Sequence, residues 1–120
     1  MFKEERTESN FEWTMLGQID VGRPNLGFTT DVAVYRLMQF TLRDVLIKEC
    51  GVEMADRIFY AAGEIAGKHF YEHLITKRDS FGDFVAELQD VLRDRGVGVL
   101  RIEKGDMEAL TFTLTVDEDL

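Results

Sequence analysis

Residues 61–73 of this chain read Ala61-Ala62-Gly63-Glu64-Ile65-Ala66-Gly67-Lys68-His69-Phe70-Tyr71-Glu72-His73. They form the second half of a helix predicted from about Glu53 to Ile75. A glycine inside a helix costs about 1 kcal/mol relative to alanine. A close approach by another element or by a ligand is the simplest way to offset that cost. Projected at 100° per residue, Glu64, Lys68 and Glu72 mark a polar face, with Arg57 in line. The opposite face carries Ala55, Phe59, Ala62, Ala66 and Phe70, flanked by Gly63. His69 and His73 fall beside Ala62 and Ala66, so both are expected to point to core or cavity and not to bulk water.

A first helix is expected from near Asp31 to about Cys50, with Gly51 as its stop signal. Val34, Met38, Leu42 and Val45 share one face, and Arg36, Gln39 and Arg43 lie opposite. The wide apolar arc predicts cover on more than one side. Ser80-Phe81-Gly82-Asp83 resembles a capping box, with Ser80 as the cap and Asp83 reaching back. Phe81, Phe84, Val85, Leu88 and Leu92 then make an amphipathic stripe to about Arg95, and Gly96 follows. Val97–Glu103 is strand-like, Gly105-Asp106 is read as the turn, and Leu110–Val116 alternates Thr with apolar residues. These last two segments predict an antiparallel hairpin.

The N-terminal quarter is less regular. Residues 1–10 are polar and expected to be loose, and Phe11–Met15 alternates as a short strand would. Gly17–Gly27 has loop composition and holds Pro24, the one proline. Its Gly22-Arg23-Pro24-Asn25-Leu26-Gly27 lacks the Lys-Ser/Thr of a phosphate loop, which argues against nucleotide binding. Helices followed by a hairpin give an α+β layer, helices against one face of a small antiparallel sheet. Two strands alone are marginal. The segment at 11–15 would add a third, and the edge left before Asp117-Glu118-Asp119-Leu120 calls for a partner or a continuation.

At 120 residues the chain is read as one domain over 1–120, long enough for a core. Its net charge of −9 argues against nucleic acid or an anionic membrane as the main partner. No run is long enough for a membrane span, and the polar start is not a secretory signal, so the cytoplasm is the expected compartment. Cys50, alone of its kind, excludes an internal disulfide or a cysteine-rich zinc site within this chain and is expected to be a small buried residue at a helix end.

His69-Phe70-Tyr71-Glu72-His73 matches the H-x-x-E-H pattern of inverted zinc proteases. The histidine pair could ligate one zinc ion. Glu72, however, projects away from the inner face, and no helix follows the hairpin to bring a third ligand. The pair is therefore read first as two histidines hydrogen-bonded in or near the core and second as a structural or adventitious metal site, and the site is assigned no metal, no cofactor and no catalytic residue. Gly63-x-x-x-Gly67 is read first as a close crossing by the first helix, and second as room for a ligand.

Gly22-Arg23-Pro24-Asn25-Leu26-Gly27, Val34-Tyr35-Arg36-Leu37, Leu42-Arg43-Asp44-Val45-Leu46, Ala61-Ala62-Gly63-x-x-Ala66-Gly67 and Phe70-Tyr71 together resemble the 4-vinyl reductase domain family, from about residue 12 onward. The resemblance implies a fold similar to haem-NO-binding domains and to vesicle-tethering TRAPP subunits. It implies a small-molecule or hydrocarbon sensor, in some members set before a regulatory ATPase domain, and dimerisation through the helices. One branch is linked to reduction of a vinyl group in bacteriochlorophyll synthesis. The family usually continues after the hairpin with a cysteine-bearing, zinc-binding segment. This sequence has none, so that metal site is expected to be missing. In the tethering relatives a cysteine placed like Cys50 can carry an acyl chain in an apolar tunnel.

The expectation is thus a domain that binds a small apolar or aromatic molecule between helices and hairpin. Phe59, Ala62, Gly63, Ala66 and Phe70 would line the site, and His69 or His73 would add a polar contact. A homodimer is the expected assembly. The alternatives are a dimerising structural adaptor and an enzyme, either a vinyl reductase with an outside electron donor or a histidine–zinc hydrolase.

Overall fold

The computed structural model describes residues 8–120. Within them a 3₁₀ turn (η1, Trp13–Leu16) precedes three helices and a hairpin: α1 (Val32–Cys50), α2 (Val52–Leu74), α3 (Phe81–Asp94), β1 (Val99–Asp106) and β2 (Thr111–Asp117). The fold class is α+β, as expected. The expected loose segment at 1–10 lies mostly outside the described residues. Chain contacts divide into two units, 1–30 and 31–120.

In the first unit the segment expected as a strand is a 3₁₀ turn, so no third strand comes from residues 11–15. The turn ends where Gly17, at φ 77°, donates its N–H back to Thr14. Such a positive φ suits glycine and reverses the chain. Farther on, Arg23 and Gly27 exchange both backbone hydrogen bonds at 3.2 and 2.9 Å. The arginine side chain also donates to the Gly27 and Thr29 carbonyls. The loop closes on itself with its own donors.

The helices of the second unit end at local caps, of which Ser80 and Gly51 were expected. Asp31 Oδ1 accepts from the Ala33 N–H at 2.7 Å and starts α1. Gly51, at φ 83°, returns its N–H to Ile47 and separates α1 from α2. Ser80 Oγ accepts from the Asp83 N–H at 3.1 Å and starts α3. These contacts satisfy helix-end donors and acceptors that would otherwise have no partner.

Helix α1 packs against α2, α3 packs against β1, and β1 pairs with β2. The hairpin is antiparallel, with Leu100 opposite Val116 and Ile102 opposite Leu114, and its register shifts at a bulge between Ile102 and Lys104. Gly105 and Asp106 lie inside β1, not in the turn as expected. The turn falls at residues 107–110. Asp106 Oδ1 holds it by accepting from the Glu108 and Ala109 N–H groups at 3.0 and 3.1 Å.

The core is small. Ala55, Ile75 and Leu100 are the buried apolar side chains among the described residues. Ile75 ends α2, where Arg78 donates to the Tyr71 and Glu72 carbonyls and lies over the Tyr71 ring. Tyr71 in turn meets Phe84 of α3 edge to face, at 5.8 Å between ring centroids.

Candidate functional site

The orientation of α1 reverses the sequence-based picture. Gln39, Arg43, Leu46 and Ile47 are its half-buried residues. This is largely the side expected to be polar and outward. Arg43 pairs with Asp56 of α2 at 2.7 Å, and Arg36 Nη2 donates to the Asp119 carbonyl at 3.0 Å. Gln39 Oε1 is closed off from solvent with no hydrogen-bond partner among the described residues. Leaving such an acceptor unsatisfied costs about 1–3 kcal/mol. The expected core face, with Val34, Met38, Leu42 and Val45, is exposed instead. Tyr35, Leu37 and Phe40 extend that exposed apolar surface farther round the helix.

Helix α2 carries all seven expected site residues on one face. That face is shut at Ala55. It opens at Ala62, Gly63 and Ala66, which are exposed, while Phe59, His69 and Phe70 are half-buried. A Cβ added at Gly63 or Gly67 would meet nothing within 4 Å. The close crossing by the first helix that the Gly63-x-x-x-Gly67 spacing led us to expect is therefore not made. The stretch is an open shallow strip. Cys50 is exposed, not buried.

Two expectations about the histidine segment change. His73 is exposed, not inward. Glu72 is not directed away from the pair: one donor atom each from His69, Glu72 and His73 lie within 4.8 Å of one another. Residues three and four apart on a helix are surface neighbours. The glutamate's torsions then let its carboxylate swing across the angular gap that a Cα projection shows. The two imidazole rings are parallel within 6° and 5.9 Å apart, one helical turn between them.

The structure also forms an apolar groove of about 370 Å³ between α3 and the hairpin, lined mainly by Phe81, Val85, Ala86, Ile102, Met107 and Phe112. None of the seven expected residues reaches it. Phe81 stacks on Phe112 at 4.7 Å, and the ring fits because Gly105, opposite Phe112, has no side chain: a Cβ there would approach the ring to 3.2 Å. The amphipathic stripe of α3 and the apolar face of β2 were both legible, but their meeting was not.

One further residue was missed. Glu87 of α3 accepts from the Thr76 and Lys77 N–H groups at 3.0 and 2.6 Å and from the Thr76 hydroxyl at 2.8 Å. The Lys77 N–H first, then that of Thr76, holds its carboxyl below the usual glutamate range. It fastens the α2–α3 connection. Among the described residues no helix is long and apolar enough to cross a membrane. Compared with known proteins, the chain matches no family model, no curated protein and no solved structure.

Proposed function

We propose that this chain is a homodimerising binding domain, with α1 and α2 of two copies forming a shared helical layer. The pairing closes the α2 strip into a site for a small apolar or aromatic molecule. The observation that carries this reading is the exposure of the apolar face of α1 while its polar face meets α2. The apolar stripe of an amphipathic helix normally packs against another surface.

A second copy is the occupant favoured by shape. One chain offers both a ridge of bulky residues on α1 and a strip without bulk at Ala62, Gly63, Ala66 and Gly67 of α2. Two copies related by a two-fold axis satisfy both at once. From Val32 to Val45, eight apolar side chains of α1 are between 41% and 68% exposed. At full areas of roughly 150–250 Å² they expose on the order of 800 Å², the share each partner gives a standard interface. Dimerisation through helices and a small-molecule site also accord with the resemblance to the 4-vinyl reductase domain family. Phe59, Ala62, Gly63, Ala66, His69, Phe70 and His73 would line that site.

Native mass spectrometry of the chain as purified tests the proposal. A dimer that retains a small apolar molecule supports it. A monomer at all accessible concentrations refutes it. A second reading has its own observation, the groove beside Phe81 and Phe112. There a ligand would bind without pairing, and Val85→Trp would abolish binding while leaving the oligomeric state unchanged.

A further inference from the structure

We infer that His69, Glu72 and His73 form a binding site for a divalent first-row transition-metal ion, with Zn²⁺ as the natural probe. The inference does not require dimerisation; His69 and His73 also belong to the lining proposed for the apolar site, and the metal site stands on their own donor geometry with Glu72. It rests on three donors of the right chemistry on one helix surface, with their ligand atoms already within 4.8 Å of one another.

The helix does most of the positioning. The spacing i, i+3, i+4 places three side chains around one point of the surface, and α2 is continuous from Val52 to Leu74 with no break at this segment. Zinc binds imidazole and carboxylate at roughly 2.0–2.2 Å, so tetrahedral donors stand about 3.4 Å apart. Closing from the separations present to that value is within reach of side-chain rotation. The parallel rings must tilt towards each other, and the carboxylate must turn, while the backbone stays as it is.

The donor set also limits the ion. Two imidazoles and one carboxylate suit borderline ions, whereas Mg²⁺ and Ca²⁺ prefer sites made wholly of oxygen. Glu72 and His73 are exposed, which gives an ion direct access from solvent, and His69 is half-buried and fixes the inner edge. Three protein ligands leave a fourth position for water. The chain's net charge of −9 raises the local concentration of cations.

The experiment uses the whole chain, stripped with a chelator and titrated with Zn²⁺ by calorimetry and native mass spectrometry. One ion per chain is expected. Even partners outside the ligand shell change metal affinity by about 10–100-fold, so His69→Ala, His73→Ala and Glu72→Gln should each weaken binding at least tenfold. Glu64→Gln, two turns earlier on α2, should leave it unchanged. Circular dichroism of each variant checks that the helix persists. Co²⁺ should give the intense visible bands of a four-coordinate ion, lost in His73→Ala. Absence of saturable Zn²⁺ binding overturns the site. Binding that survives Glu72→Gln unchanged overturns it too, since a histidine pair alone is then sufficient.

Discussion

Met38 lies on the exposed apolar face of α1 and is 58% exposed. Fully burying a methionine side chain is worth about 1.5–3 kcal/mol. With more than half of that still ungained, covering Met38 in a dimer contributes roughly 1–1.5 kcal/mol per copy, or about 2–3 kcal/mol for two copies. Met38→Ala should therefore raise the dimer dissociation constant by roughly 30- to 150-fold, at 1.4 kcal/mol per factor of ten. The same substitution should leave helix content intact, because alanine is the better helix former and the side chain is mostly exposed within its own chain. Sedimentation equilibrium over a concentration series reads the first effect and far-ultraviolet circular dichroism the second. If the variant associates as tightly as the parent, or if the parent itself is monomeric, the α1 face is not the interface and the argument fails.

Gly63→Ala should raise helix stability by up to about 1 kcal/mol in the single chain, where a Cβ meets nothing; Gly63→Leu should break the dimer, seen as a halved mass by light scattering. Ile75→Ala should cost about 2–5 kcal/mol in denaturant unfolding, since Ile75 is 2% exposed. Glu87→Gln should destabilise the chain at neutral pH. The carboxyl is held below the usual glutamate value of about 4.3, so its contribution is complete above that value and is lost as pH falls through the folded one. Melting curves of the two proteins should thus converge in acid, and a constant gap from pH 7 to pH 3 would count against this account.

The boundaries of the three helices were legible because they are set within a few residues of chain. Asp31 and Ser80 cap with their own side chains, and Gly51 and Gly96 adopt positive φ, at 83° and 68°. Segment 11–15 failed as a strand because alternation over five residues has no meaning without a neighbour to pair with. The hairpin turn was misplaced because a bulge at Ile102/Lys104 lengthens β1, and a bulge depends on the partner strand. Phe81 and Phe112 each sit in an apolar pattern legible in the sequence, yet the groove between them exists only where two elements 31 residues apart meet.

For the α2 segment that most constrained the chain, the sequence by itself determined one helix with small residues, aromatics and both histidines on a common face. Helical periodicity is a local property, and Phe59, Ala62, Gly63, Ala66, His69, Phe70 and His73 follow it. Only the tertiary structure decided what that face meets. It left Gly63 and Gly67 uncovered and turned the polar side of α1 towards α2. Which side of a helix is covered depends on the surfaces offered by other elements, and where a side chain ends depends on torsions that a projection of Cα positions does not contain.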